Sequence, residues 1–187
     1  MLHLWDQNLT VTLQQMPRIT SSDLLFVSKA RKEKLDSLSS GVSLVARTGY
    51  DLERIRIKAA LDRIEFARTI LKCAEEALRV NPPMCRTATS RGYYSMYHAL
   101  RAVTFFVSGG DDHEKHVDLP SQLPRDFPDR ATWENCLKTA RLERNKADYD
   151  PYPKKDKQFA TCSQQILQDA RTLMPIVRKY IRQKGCF

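Results

Sequence analysis

The 187-residue sequence has little of what marks several protein classes. It contains only 6 glycines, too few for a collagen-like or turn-dense all-β chain. No stretch approaches the roughly 18 apolar residues of a membrane-spanning helix. The first residues, MLHLWDQNLT, lack the basic and apolar regions of a secretory signal. We therefore expect a cytoplasmic protein with no membrane partner.

Metal and cofactor motifs are also missing. The five cysteines form no CxxC pair, which argues against a disulfide framework and against a tetrahedral zinc site. The segment His113-Glu114-Lys115-His116 is one residue shorter than the zinc-binding HExxH pattern. The sequence has no P-loop and no GxGxxG motif. We predict no metal site and no cofactor.

Positive charge is present in excess. Lysine and arginine total 31 against 22 aspartate and glutamate, a net charge of +9, and 42% of the residues are hydrophobic. This balance predicts a folded domain rather than a disordered chain. The charge fits a nucleic-acid partner, and it fits a solvated basic surface equally well.

Apolar residues recur at steps of three and four, the spacing of one face of an α-helix. The pattern covers four long segments, at about residues 51–80, 84–107, 129–148 and 155–183. A shorter helix over 21–38 begins with the capping-box pattern Thr20-x-x-Asp23, and the serine-rich piece SLSSG around Gly41 is expected to break the chain. The sequence thus predicts an all-α protein. Residues 51–187 form a four- to five-helix up-and-down bundle, and residues 1–50 form an N-terminal extension with one helix.

Arg144 falls on an otherwise apolar stripe of its helix. The stripe is set by Trp133, Leu137 and Ala140. Arginine is rarely buried without a partner, and Asp148 lies four residues on, within reach of an ion pair. Either Arg144 meets phosphate at a groove or interface, or it extends from the helix end into solvent with Asp148 as a surface partner.

A second constellation lies on the helix over 84–107. Arg91, Tyr94, His98 and Arg101 step by three, four and three, so they share one face. Cations interleaved with aromatic planes suit a nucleic-acid backbone with unstacked bases. The alternative is that the tyrosine and the histidine are ordinary core residues with satisfied polar atoms.

A short basic cluster follows the proline-rich corner at 150–153. Lys154 and Lys155 stand at the predicted start of the last helix, where positive charge opposes the helix dipole. They are either a site for an anion or part of a solvated surface.

Three segments carry a more specific pattern of residue types. Residues 90–102 are SRGYYSMYHALRA, residues 115–117 are KHV, and residues 144–150 are RNKADYD. In this order they resemble the S-R-x-Y-Y-x-x-F-H-A helix, the Lys/Thr-His loop and the R-x-x-A-D-Y-D motif of the HEPN domain family. Members of that family are small helical bundles often encoded beside a minimal nucleotidyltransferase. The resemblance covers about residues 55–183, and Tyr97 stands where phenylalanine is common.

The resemblance implies a homodimer with one shared cleft and an antitoxin-like nucleotidyltransferase partner. Many members are metal-independent endoribonucleases of toxin or defence type with an Arg-x4–6-His motif. In that motif the arginine stabilises the phosphate and the histidine supports proton transfer. In this sequence Tyr149 stands five residues after Arg144, where the motif has histidine. A tyrosine hydroxyl ionises only near pH ~10, so it is a poor base at neutrality but can donate a hydrogen bond to phosphate.

The sequence therefore predicts a HEPN-type bundle that binds RNA or a nucleotide, with endoribonuclease activity left open. A non-catalytic helical interaction module and a nucleotide sensor are the alternatives. The residues expected at the reactive centre are Arg144, Asp148, Tyr149 and His98. Those expected to line the rest of the groove are Arg91, Tyr94, Arg101, Lys154 and Lys155.

Overall fold

The computed structural model describes residues 20–110 and 115–185, and within these residues it is all-helical, without a strand. The all-α prediction is confirmed. No helix of the described part is both long and apolar enough to cross a membrane. The six α-helices are α1 (Ser21–Lys29), α2 (Lys32–Thr48), α3 (Leu52–Arg79), α4 (Cys85–Val107), α5 (Arg130–Tyr149) and α6 (Ala160–Lys184). Two 3-10 turns cover Leu119–Gln122 and Asp156–Phe159.

The chain divides into a unit that ends at Gly49 and a unit that begins at Tyr50. The first unit holds α1 and α2, and residues 1–19 of the predicted extension lie outside the described residues. Thr20 caps α1 as predicted. Its hydroxyl accepts the N–H of Asp23 at 3.2 Å, and the Asp23 carboxylate accepts the N–H of Thr20 at 2.8 Å.

The helix predicted over 21–38 is two helices in the structure. Ala30 and Arg31 are extended and interrupt the hydrogen-bond ladder, and α2 then runs through the serine-rich segment to Thr48. The serines do not end the helix, because the hydroxyls of Ser37 and Ser40 donate to carbonyl oxygens four residues earlier. The helix ends instead at Gly49, whose φ of 70° favours glycine.

Helices α3 to α6 form the bundle, with α4 buried on most of its sides. Contacts between helices fix their relative directions, because residue numbers on one helix fall as those on its neighbour rise. The contacts that show this are Ala67–Ser95 and Arg63–Phe105 for α3 with α4, Asp148–Ser90 and Arg144–Tyr94 for α5 with α4, and Glu75–Arg171 and Glu65–Arg178 for α3 with α6. Helices adjacent in sequence are therefore antiparallel, as in an up-and-down bundle.

Gly92 lets α4 and α6 approach closely. A methyl group at this position would lie 2.8 Å from Ile166 Cγ2 and 2.9 Å from Leu167 Cδ1. Both distances are too short for packed carbon atoms, so a side chain here would push the helices apart. The close contact fixes α4 against α6 at Gly92, immediately before Tyr93 and Tyr94.

The segment between α4 and α5 packs on the bundle rather than forming a bare loop. Its apolar residues Leu119, Leu123 and Phe127 are buried. Tyr180 of α6 donates a hydrogen bond to Asp126 at 2.9 Å. Residues 111–114 lie outside the described residues. The packed part of the segment brings His116 against α4.

Candidate anion-binding site at Arg144

Arg144 lies on the buried stripe of α5, with only 7% of its surface exposed. Its guanidinium lies over the rings of Tyr94 and Tyr93, with Cζ 4.9 Å and 5.3 Å from the ring centres. Both tyrosines project from α4, so the contact joins the two helices. The alternative of a side chain extending into solvent is wrong, because the cation is enclosed by aromatic faces.

The N–H donors of Arg144 are only partly matched. Nη1 lies 3.2 Å from Asn145 Oδ1 and 3.3 Å from the hydroxyl oxygen of Tyr149. Nε is 3.6 Å from Asp148 Oδ2, which is an ion-pair distance but too long for a hydrogen bond. Nε is buried and has no hydrogen-bond partner. A buried guanidinium normally has its donors satisfied, so Arg144 retains capacity for an acceptor.

Asp148 and Tyr149 occupy the last turn of α5 beside Arg144. The carboxylate oxygen of Asp148 that faces Arg144 also accepts a hydrogen bond from Ser90 of α4, at 3.2 Å. Tyr149 is 72% exposed, and its ring centre lies 5.7 Å from the Arg144 Cζ. The structure therefore brings together three of the residues predicted at the reactive centre.

His116 joins this cluster from the segment after α4, although sequence reasoning did not place it at the site. Its Nδ1 lies 2.6 Å from the Tyr93 hydroxyl oxygen. Its ring stacks on Tyr97 with 4.0 Å between ring centres and 16° between planes. The signal that could have found it was the Lys-His pair of the HEPN resemblance. Periodicity could not, because the residue lies outside every helix.

Burial sets the protonation of this pair. Burial lowers the pKa of the His116 imidazole, and the positive charges of Arg144, Arg101 and Arg141 lower it further. Burial also raises the pKa of the Tyr93 hydroxyl, with Arg144 opposing that rise. Near neutral pH the histidine is therefore uncharged and the tyrosine keeps its proton.

His98, the fourth residue predicted at the reactive centre, is half-buried on α4. Its ring meets Phe66 edge-on, with 4.9 Å between ring centres. Tyr94 contacts both His98, at 6.4 Å between ring centres, and the guanidinium of Arg144. The structure thus places His98 one aromatic ring away from Arg144.

The residues predicted to line the groove divide into two groups. Tyr94 is part of the cluster, and Arg101 lies against it with Cζ 5.3 Å from the ring centre of Tyr97. Arg91 is exposed on α4. Lys154 and Lys155 are exposed just before the turn Asp156–Phe159. The last three side chains lie at the surface outside the aromatic cluster.

Arg86 holds the chain that follows Arg144, and sequence reasoning missed it. Its guanidinium donates to the carbonyl oxygens at the end of α5 and in the proline corner. The acceptors are those of Lys146 at 3.1 Å, Ala147 at 2.8 Å, Asp150 at 2.9 Å and Pro153 at 2.6 Å. Asp156 fixes Arg86 in turn, because its carboxylate accepts the N–H groups of Cys85 and Arg86 at the start of α4.

Within residues 20–110 and 115–185, no group of three or more His, Cys, Asp or Glu side chains is placed to hold a metal ion. Asp111, Asp112 and His113 lie outside these residues. The chain matches no protein-family model, no curated protein and no solved structure. The arrangement around Arg144 is therefore the main ground for a functional proposal.

Proposed function

We propose that this protein is a HEPN-type helical bundle that binds the phosphate of RNA or of a nucleotide at Arg144. The observation that carries the proposal is a buried guanidinium whose Nε has no hydrogen-bond partner. Phosphate oxygens accept charge-assisted hydrogen bonds from guanidinium groups, often in pairs. A bound phosphate would satisfy donors that the described residues leave unmet.

The aromatic surroundings favour an unpaired nucleotide over a bare anion. Tyr149 is 72% exposed beside Arg144, so its ring is open to stacking by a base. Stacking on aromatic side chains is the usual way in which proteins hold bases of single-stranded RNA. The net charge of +9 would attract such a polyanion from solution.

Metal-independent cleavage of the bound RNA, in a toxin or defence role, is the finer form of the proposal. Arg144 would stabilise the charge that develops on the scissile phosphate. Tyr149, which replaces the motif histidine, would donate a hydrogen bond there, since its hydroxyl lies 3.3 Å from Arg144 Nη1. The homodimer and the nucleotidyltransferase partner belong to this form and come from the HEPN resemblance, and the cytoplasmic location is the expectation drawn from the sequence composition.

The proposal is tested by binding of a fluorescent single-stranded RNA of about twelve nucleotides, a length suited to one small domain. We expect Arg144→Met to weaken binding by about tenfold or more, equivalent to at least about 1.4 kcal/mol. The matched control is Arg182→Met, which removes the same charge from an exposed position on α6. It should change affinity by less than about twofold at fixed salt. Equal losses in the two variants would contradict the proposal.

The same RNA incubated in EDTA separates the finer functions. Cleavage by the wild type that disappears in Arg144→Met supports the endoribonuclease. Binding without cleavage supports the non-catalytic module. Thermal stabilisation by a mononucleotide, without RNA binding, supports the sensor. Light scattering on the purified chain tests the homodimer.

A further inference from the structure

The ring of His116 is fixed from two directions. Tyr93 bonds its Nδ1 at 2.6 Å, and Tyr97 stacks against its face at 4.0 Å. Both tyrosines project from α4, which also carries the Tyr94 ring against Arg144. A histidine from a connecting segment is thus fixed against two side chains of α4.

The hydrogen bond with Tyr93 determines which ring nitrogen carries the proton. The Tyr93 residue is fully buried, so its O–H needs an acceptor. Among the described residues, Nδ1 of His116 is the acceptor that it meets. The neutral imidazole therefore carries its hydrogen on Nε2. This Nε2–H makes no hydrogen bond with the described residues, so it is an available donor.

Cations surround His116 from the elements packed against it. Arg101 comes from α4, and Arg141 and Arg144 come from α5. Tyr93, Tyr94 and Tyr97 are the other titratable groups in contact with the ring. Arg144 lies over the same Tyr93 ring whose hydroxyl bonds His116. Two donors, one charged and one neutral, thus flank a single tyrosine in a cluster rich in positive charge.

We propose that His116 is a second phosphate-contacting residue of the Arg144 site, and that binding of the phosphate draws a proton from solvent onto its ring. The inference rests on the proposed function and adds a residue and a pH response to it. On protonation Nδ1–H donates to the Tyr93 oxygen, so both ring nitrogens become donors, and the Tyr93 O–H turns to the bound phosphate as its new acceptor. A bound anion offsets the repulsion from the three arginines, which is what lets the ring accept the proton.

The sign of the pH response follows from this coupling. Without ligand, burial and the arginines keep the pKa of His116 below its ordinary value. A bound phosphate raises it, so the complex holds more protons than the free protein, and affinity increases as the pH falls between the two values. A phosphodiester does not titrate in this range, whereas a terminal phosphate does, near pH ~6. The probe is therefore an oligouridylate without terminal phosphates.

The first measurement is the affinity of this oligouridylate at about pH 7.5 and about pH 5.5, at constant ionic strength. We expect the wild type to bind about fivefold to tenfold more tightly at the lower pH. We expect His116→Gln to lose most of that difference. A wild-type affinity that does not change with pH would overturn the proposal. So would a response that persists in His116→Gln and disappears in His98→Gln.

The second measurement needs no ligand, so it separates failure of this inference from failure of the proposed function. Nitrogen-15 NMR of the imidazoles near neutral pH should show the His116 proton on Nε2, and Tyr93→Phe should shift it toward a mixture of both forms. A wild-type proton on Nδ1 would overturn the assignment of the donor, whatever RNA binding shows. If the tautomer is as expected and neither RNA nor a mononucleotide binds at either pH, both the phosphate contact and the proposed function are wrong.

Discussion

Two arginines at the contact between α4 and α5 have opposite surroundings. Arg86 donates to four carbonyl oxygens of residues 146–153, at 2.6–3.1 Å, and lies over the ring of Phe159 at 4.4 Å. Arg144 lies among three tyrosine rings, and its buried Nε makes no hydrogen bond. The Arg86 guanidinium donates its hydrogen bonds to backbone carbonyl groups, whereas the Arg144 guanidinium has an N–H donor without an acceptor.

The difference follows from which part of α5 surrounds each guanidinium. The last carbonyl groups of a helix have no partner within it and carry partial negative charge, so they attract Arg86. Arg144 lies on α5 about one turn before the end of the helix, and its side chain is on the inner face, where it meets aromatic rings. Those rings attract the cation through their faces but do not replace a lone-pair acceptor. The first arrangement stabilises the fold, and the second suits a ligand.

Arg86→Met has the largest expected effect, because it tests whether the contacts of Arg86 stabilise the fold. Methionine keeps some apolar contact with Phe159 but removes every donor to the four carbonyl groups. We expect a loss of about 3 kcal/mol in the free energy of unfolding, the net value of several charge-assisted hydrogen bonds. Urea denaturation followed by circular dichroism measures it.

The matched control is Arg79→Met, because Arg79 is exposed and pairs with Glu76 at the surface of α3. It should cost less than about 0.5 kcal/mol. If Arg86→Met were no more costly than this control, the four carbonyl contacts would not stabilise the fold.

Local pattern was enough to predict the helices of the bundle and to place Arg144 on the inward stripe of α5, but it left open whether the side chain is buried or extends into solvent. The step of three and four residues fixes which side of α5 faces inward, and Arg144 falls on that side with Leu137 and Ala140. The same pattern failed at the serine-rich segment of α2. There, hydrogen bonds from serine hydroxyls to the preceding turn satisfy side chains that would otherwise favour a loop.

Contacts between distant segments were outside the reach of periodicity. Arg86 meets carbonyl groups about 60 to 67 residues away in the chain, and backbone acceptors leave no mark on a sequence. His116 meets Tyr93 across 23 residues through a segment with no helical repeat. Both depend on how the helices pack, which no local spacing encodes.

Arg144→Met tests the other half of the comparison, that Arg144 contributes little to the stability of the fold. We expect its free energy of unfolding to change by less than about 1 kcal/mol, because a buried cation with unmet donors is replaced by an apolar side chain of similar length. The same urea titration measures it beside Arg86→Met. A loss as large as that of Arg86→Met would mean that Arg144 also serves mainly to hold the fold.

Ser90→Ala is the smallest change that bears on the comparison. Ser90 donates to the same Asp148 oxygen that lies 3.6 Å from Arg144 Nε. Without the Ser90 hydroxyl, the Arg144 guanidinium no longer shares the Asp148 oxygen with another donor, so the two charged groups pair more closely. We expect the free energy of unfolding to change by less than about 0.5 kcal/mol, since the hydrogen bond is exposed. RNA affinity should fall by about twofold, because Asp148 then competes better with phosphate. An unchanged or increased affinity would show that Asp148 does not compete with phosphate for Arg144.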